Sequence, residues 1–119
     1  MKKTLVLGAS PNPLRFSYKA IKSLLRRDYP VVAVGRNSGL IDDVEILTGF
    51  PKIEDVHTLM LYLNPESQKA YYDYIIGLVP NRIIFNPGTE NEELFELAKK
   101  NNIKVVVDCG LVMINADTY

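Results

Sequence analysis

The sequence predicts a single α/β domain whose sheet is mostly parallel, has about five strands and carries helices on both faces. Three observations point there. Short, nearly continuous apolar runs recur at Thr4–Leu7, Val31–Val34, Thr58–Leu63, Arg82–Phe85 and Ile103–Val107, and such runs belong to strands buried on both faces. Stretches with helical spacing separate several of them, and strand, helix, strand in succession implies parallel strands joined by right-handed crossovers. Each run also ends in a turn signal: Gly8-Ala9-Ser10, Gly35-Arg36-Asn37, Asn64-Pro65, Asn86-Pro87-Gly88 and Asp108-Cys109-Gly110.

With 119 residues and 47% hydrophobic content, residues 1–119 fit one domain near the usual size of roughly 100–150 residues. The 14 basic residues balance the 14 acidic ones. A net charge of zero gives no general attraction to nucleic acid or an anionic membrane, so an anion site has to be local. No apolar run approaches the ~20 residues of a membrane span, and Met1-Lys2-Lys3 leads straight into a strand rather than a signal peptide's apolar segment. A cytoplasmic protein is expected. Cys109 and His57 are the only residues of their types, which excludes an internal disulfide and a cysteine-based metal cluster.

In chain order, the first strand runs into Gly8-Ala9-Ser10, and a helix following from near Pro13 can turn its amide groups toward the strand's carboxyl end. Ala20, Ile21, Leu24 and Leu25 form the apolar stripe of a helix over Ser17–Asp28, with Arg26 and Arg27 suited to its carboxyl end. Tyr29-Pro30 stops it before the second strand. Ser38–Asp55 reads as a long loop with a short extended piece. After the third strand, Asn64 suits an N-cap and Pro65 the first helical position, and the helix continues over Gln68–Leu78. Its tyrosines suit packing, with ring bodies buried and hydroxyls reaching water. The fourth strand leads to Asn86-Pro87-Gly88, Asn91 caps a third helix ending at Lys99-Lys100, and the fifth strand runs into a short apolar tail, Leu111–Ile114.

The Gly8 corner is therefore the candidate ligand site, because open α/β sheets bind ligands outside the carboxyl ends of their strands. It lacks the dinucleotide fingerprint: Ser10 and Pro13 stand where the second and third glycines belong, and Gly35-Arg36 stands where a carboxylate would hold a ribose hydroxyl. Arg36 suits a phosphorylated ribose instead, and no Gly-Lys-Ser or Gly-Lys-Thr of a P-loop occurs.

Gly8-Ala9-Ser10-Pro11 with Arg15 and Ser17, Asn64-Pro65 after the third strand, and Asn86-Pro87-Gly88 followed by Glu92 together resemble the CoA-binding domain proteins. These are small Rossmann-like proteins similar to the CoA-binding part of the succinyl-CoA synthetase α-subunit. The resemblance implies that Gly8, Ala9 and Ser10 approach the pyrophosphate. It further implies that Arg15 and Ser17 add polar contacts, and that Asn64, Pro65, Asn86, Pro87 and Gly88 line the far side. Two positions depart from the family pattern. Gly35-Arg36-Asn37 replaces the usual Asn-Pro-Lys, leaving Arg36 to meet the nucleotide phosphate, and Asp108-Cys109-Gly110 replaces Asp/Asn-Arg-Cys.

For chemistry, neither a nucleophile beside a base nor paired carboxylates stand out, so no catalytic residue is assigned. His57 precedes the third strand, at the end of the sheet away from the corner, and suits a surface or packing role. Cys109 reads as a small buried hydrophobe, and Asp42-Asp43 and Glu92-Glu93 as solvated charges. The leading expectation is non-enzymatic binding of CoA or an acyl-CoA. One alternative is an NADP-dependent enzyme or redox sensor with Arg36 on the 2′-phosphate. Another is an interaction domain with a vestigial nucleotide pocket. A homodimer is compatible with each.

Overall fold

The apolar run Thr4–Leu7 forms β1, every residue of it buried, at the centre of a sheet with strands on both sides. In this computed structural model, which describes residues 1–119, β2 (Val31–Val34) and β5 (Thr58–Leu61) flank β1 in parallel. β6 (Arg82–Phe85) and β7 (Lys104–Val107) continue the parallel sheet on the β5 side. The α/β architecture is as the sequence predicts, with seven strands in one sheet.

The two further strands lie in Ser38–Asp55. There β3 (Gly39–Ile41) and β4 (Val44–Leu47) form an antiparallel hairpin, and β4 joins β2 in parallel. The expectation of a mostly irregular loop is corrected: Asp42-Asp43 is a two-residue turn, with Asp42 in the left-handed region at φ 52°. A two-residue turn sets the strand register, so Ile41 faces Val44 and Ile41 and Ile46 reach the core.

Period-two alternation splits the strands between two cores. Val6, Ala33, Met60 and Ile84 meet α1 (Phe16–Arg26) and α5 (Gly110–Asn115) on one face. Leu5, Leu7, Leu59, Leu61, Ile83 and Phe85 meet the other face, covered by α3 (Tyr72–Gly77) and α4 (Glu92–Lys100). Two details of the helices differ from the sequence reading. The helix after Asn64 is broken into α2 (Pro65–Gln68), a 3₁₀ turn over Lys69–Tyr71, and α3. The break follows Gln68, whose buried amide donates to the carbonyls of Leu63 and Thr89 and so fixes the first turn to neighbouring loops. The tail after β7 is the helix α5, docked on α1 through Met113 and Ile114. No helix is long and apolar enough to cross a membrane.

Candidate functional site

The chain leaves β1 toward β2 on one side and, after β4, returns on the other side of β1 as β5. The loops following β1 and β5 part at that switch, which is where an open α/β sheet forms its crevice. A cleft of about 370 Å³ opens there, lined by Gly8, Ser10, Arg15, Phe16, Ser17, Tyr62 and Pro87.

The floor is a turn that only small residues permit. Gly8 has φ +97°, and a side chain on it would lie 3.0 Å from the backbone carbonyl carbon of Tyr62. The amides of Gly8 and Ala9 both donate to the Val34 carbonyl, at 2.9 and 3.0 Å, tying the turn to β2. Gly35 closes the same contact from the β2 side, since a Cβ there would lie 2.2 Å from the Ala9 oxygen. Beyond the turn, the Ser10 hydroxyl oxygen accepts from the Asn12 amide and Asn12 Oδ1 accepts from Leu14. These bonds aim the start of α1 at the cleft.

That helix start is left open. Arg15 occupies the N-cap in extended conformation and makes no side-chain cap, and the first turn has no acidic residue. The amides of Ser10, Phe16, Ser17 and Tyr18 have no intramolecular acceptor, and the Arg15 guanidinium has no ion-pair partner. Unpaired N–H groups at the positive end of an 11-residue helix beside a cation attract an anion. α4 starts differently: Asn91 Oδ1 accepts from the amides of Glu93 and Leu94, and Glu92 and Glu93 supply negative charge.

The loops across the cleft are held by their own side chains. Asn64 Oδ1 accepts from Ser67 as the cap of α2, with Pro65 at the first helical position. Asn86, 2% exposed, donates to the Leu61 carbonyl and accepts from the Gly110 amide, each within 2.9 Å. It thus fixes the ends of β5 and β6 to the start of α5. Gly88, in the left-handed region at φ +92°, donates its amide to Glu90. Of the candidate residues, Gly8, Ser10, Arg15, Ser17 and Pro87 meet at the cleft. Ala9 lies in the core beneath it, Arg36 is exposed past the end of β2 without an ion pair, and Asn64, Pro65, Asn86 and Gly88 are not in its lining.

Three contributors have no signature in the sequence. Phe16, 63% exposed, presents its ring at the cleft. Gln68 joins the two far loops, accepting from the Asn91 side-chain amide, which also donates to the Tyr72 hydroxyl. Tyr62 lines the cleft, and its hydroxyl is buried without a hydrogen-bond partner. Burial holds that phenol well above the ordinary tyrosine range, reinforced by Cys109 and then Tyr119. The only trace of Phe16 and Tyr62 in the sequence is position, at a helix start and one residue after a strand; Gln68, at the end of α2, has none.

Cys109, half-buried, sits at the N-cap of α5, its amide donated to the Asp108 carboxylate. His57 lies just before β5, at the amino end of the sheet away from the cleft, its Nδ1 on the Thr58 hydroxyl. A larger cleft, about 540 Å³, lies between residues 50–55 and α3. Its charged lining is Glu54, Asp55 and Asp73 against Lys52 alone, which disfavours an anion, and none of the candidate residues reaches it.

The sequence matches the family described as CoA binding domain over residues 2–115. The crystal structure of an uncharacterized protein superposes with a TM-score of 0.97 at 46% identity, covering 100% of this chain and 98% of that one. A Thermus thermophilus protein, cell-free ID.343, gives a TM-score of 0.87 at 20% identity over 99% of this chain and 90% of its own. A hypothetical protein from Pyrococcus horikoshii OT3 gives 0.86 at 20% identity over 98% and 83%. The last two speak for the fold alone. No curated protein matches the chain.

Proposed function

The chain belongs to the CoA-binding domain family, and from that membership we propose that residues 1–119 form one unit that binds CoA or an acyl-CoA without chemistry of its own. The observation that carries the reading is the open start of α1: unpaired amides at Phe16, Ser17 and Tyr18 beside an unpaired Arg15. A pyrophosphate brings two anionic groups able to accept from these donors. Gly8 and Ala9 give the backbone close approach, the Ser10 hydroxyl adds a donor at the rim, and Ser17, buried in the cleft wall, adds another. Arg36, exposed and unpaired, takes the ribose 3′-phosphate, and the pantetheine arm runs past Tyr62 and Pro87 beside the loops held by Asn64, Pro65, Asn86 and Gly88.

Isothermal titration with CoA, acetyl-CoA, dephospho-CoA, NAD and NADP tests the reading. Arg15→Ala is expected to weaken CoA and dephospho-CoA alike, by about tenfold or more for a charge-assisted contact. Arg36→Ala is expected to weaken CoA by a similar factor and leave dephospho-CoA unchanged. Equal loss for both ligands overturns the role of Arg36, and no binding of any CoA compound overturns the reading. Arg36 also carries a second reading, since it suits the 2′-phosphate of NADP as well; tighter binding of NADP than of CoA selects it.

A further inference from the structure

The two edges of the sheet are unequal. β3, at one edge, is three residues long and begins with glycine. β7, at the other, carries three consecutive valines with no proline, and Val107 is 56% exposed. Exposed strand edges rich in β-branched residues pair with further strands unless charge, proline or brevity prevents it. We propose that β7 is a self-association edge, on which a second copy of this chain pairs antiparallel about a dyad through Val106 to give one continuous sheet.

The register follows from which groups face outward. The amides of Lys104 and Asp108 donate inward, to the carbonyls of Asn81 and Phe85 on the β6 side. Successive residues of a strand alternate, so the main-chain groups of Val105 and Val107 face out. A dyad at Val106 sets Val105 opposite Val107 of the second copy and Val107 opposite its Val105. Those are the hydrogen-bonded pairs such a ladder needs, and they make about four main-chain bonds. The same register sets Lys104 opposite Asp108 of the second copy, twice. A dyad one pair earlier, at Val105, or later, at Val107, uses the same outward groups but sets Lys104 against an uncharged residue. Lys104 is exposed with no ion pair, and the exposed Asp108 carboxylate bonds only its neighbour's amide. Cross-strand opposite charges favour this one register over its alternatives.

The test is sedimentation velocity on the purified chain from about 10 µM to about 1 mM, a range suited to a small interface. The expected result is a mass rising with concentration from 13.4 kDa toward twice that value. Val107→Pro removes only an outward N–H, so the chain still folds by circular dichroism and is expected to stay monomeric throughout. Lys104→Glu is expected to weaken association at least tenfold, and adding Asp108→Lys to restore it. A monomer at every concentration overturns the proposal, as does a dimer that Val107→Pro leaves intact.

Discussion

The two ends of the sheet treat their cations in opposite ways. At the amino end, Arg82 donates to the Thr58 hydroxyl at 2.8 Å and to the Tyr119 carbonyl at 3.2 Å, with its guanidinium 4.6 Å from the Tyr119 ring centre. Lys2 bonds the same carbonyl and Lys3 that of Glu54. The Tyr119 hydroxyl meets Thr4, and the Thr58 hydroxyl, which accepts from Arg82, also meets His57 Nδ1. At the carboxyl end, Arg15 and Arg36 have no such partners and α1 begins with unpaired amides. Buried polar groups left unmatched are costly, whereas exposed ones stay hydrated until something binds. The difference separates cations that hold the fold from cations available to a ligand.

The contrast breaks hardest at Arg82. Arg82→Ala removes the donor to the Thr58 hydroxyl, one of the two donors to the Tyr119 carbonyl and the cation over the Tyr119 ring, and is expected to lower stability by about 2–3 kcal/mol, read by denaturant unfolding. CoA affinity of the folded protein should not change. A smaller effect of opposite sign is expected at the other end. Arg15→Asp gives α1 the acidic cap it lacks and is expected to raise stability by about 0.5–1 kcal/mol in the same assay. It should also abolish binding of CoA compounds, because the new carboxylate occupies the donors and repels phosphate. A stabilised variant that still binds would mean the ligand site is elsewhere.

The smallest effect lies in the pH profile. Burial, then Arg82 and Lys2, hold His57 below its ordinary 6.5. The fold therefore favours the neutral ring, and below pH 6.5 the unfolded chain takes up the proton more readily. This contribution is whole above that pH and is lost as pH falls. Thermal melts at pH 7 and pH 5 should show a smaller drop for His57→Gln than for the wild type, while Arg15→Asp changes both melts together.

The central strands were legible because burial on both faces demands continuous apolar runs, and Leu5, Leu59 and Ile83 come from such runs. The hairpin was not. β4 has an exposed glutamate between half-buried and buried neighbours, Val44-Glu45-Ile46, and a pattern that short is also a loop's. The corner was legible from Gly8 and the ends of the strands. The division of labour around it was not: Asn64 and Asn86 look alike before proline, yet one caps a helix at the surface while the other is a buried bracket. Nor does the sequence reveal that Gly35 is small because the Ala9 oxygen lies against it. Such contacts join residues far apart in the chain, and local pattern carries no trace of them.

The bond between Thr4 and Tyr119 spans 115 positions. On a ribosome, β1 emerges early, but the ring that seals its amino end arrives with residue 119. Both flanking strands of β1 can be paired by then, yet the last polar contacts at that end wait for synthesis to reach Tyr119. A chain stalled a few residues short would hold Thr4 and the Arg82 guanidinium without their final partner. The polar seal at the amino end of β1 therefore depends on Tyr119, and products shortened before it are the ones a quality-control protease should find first.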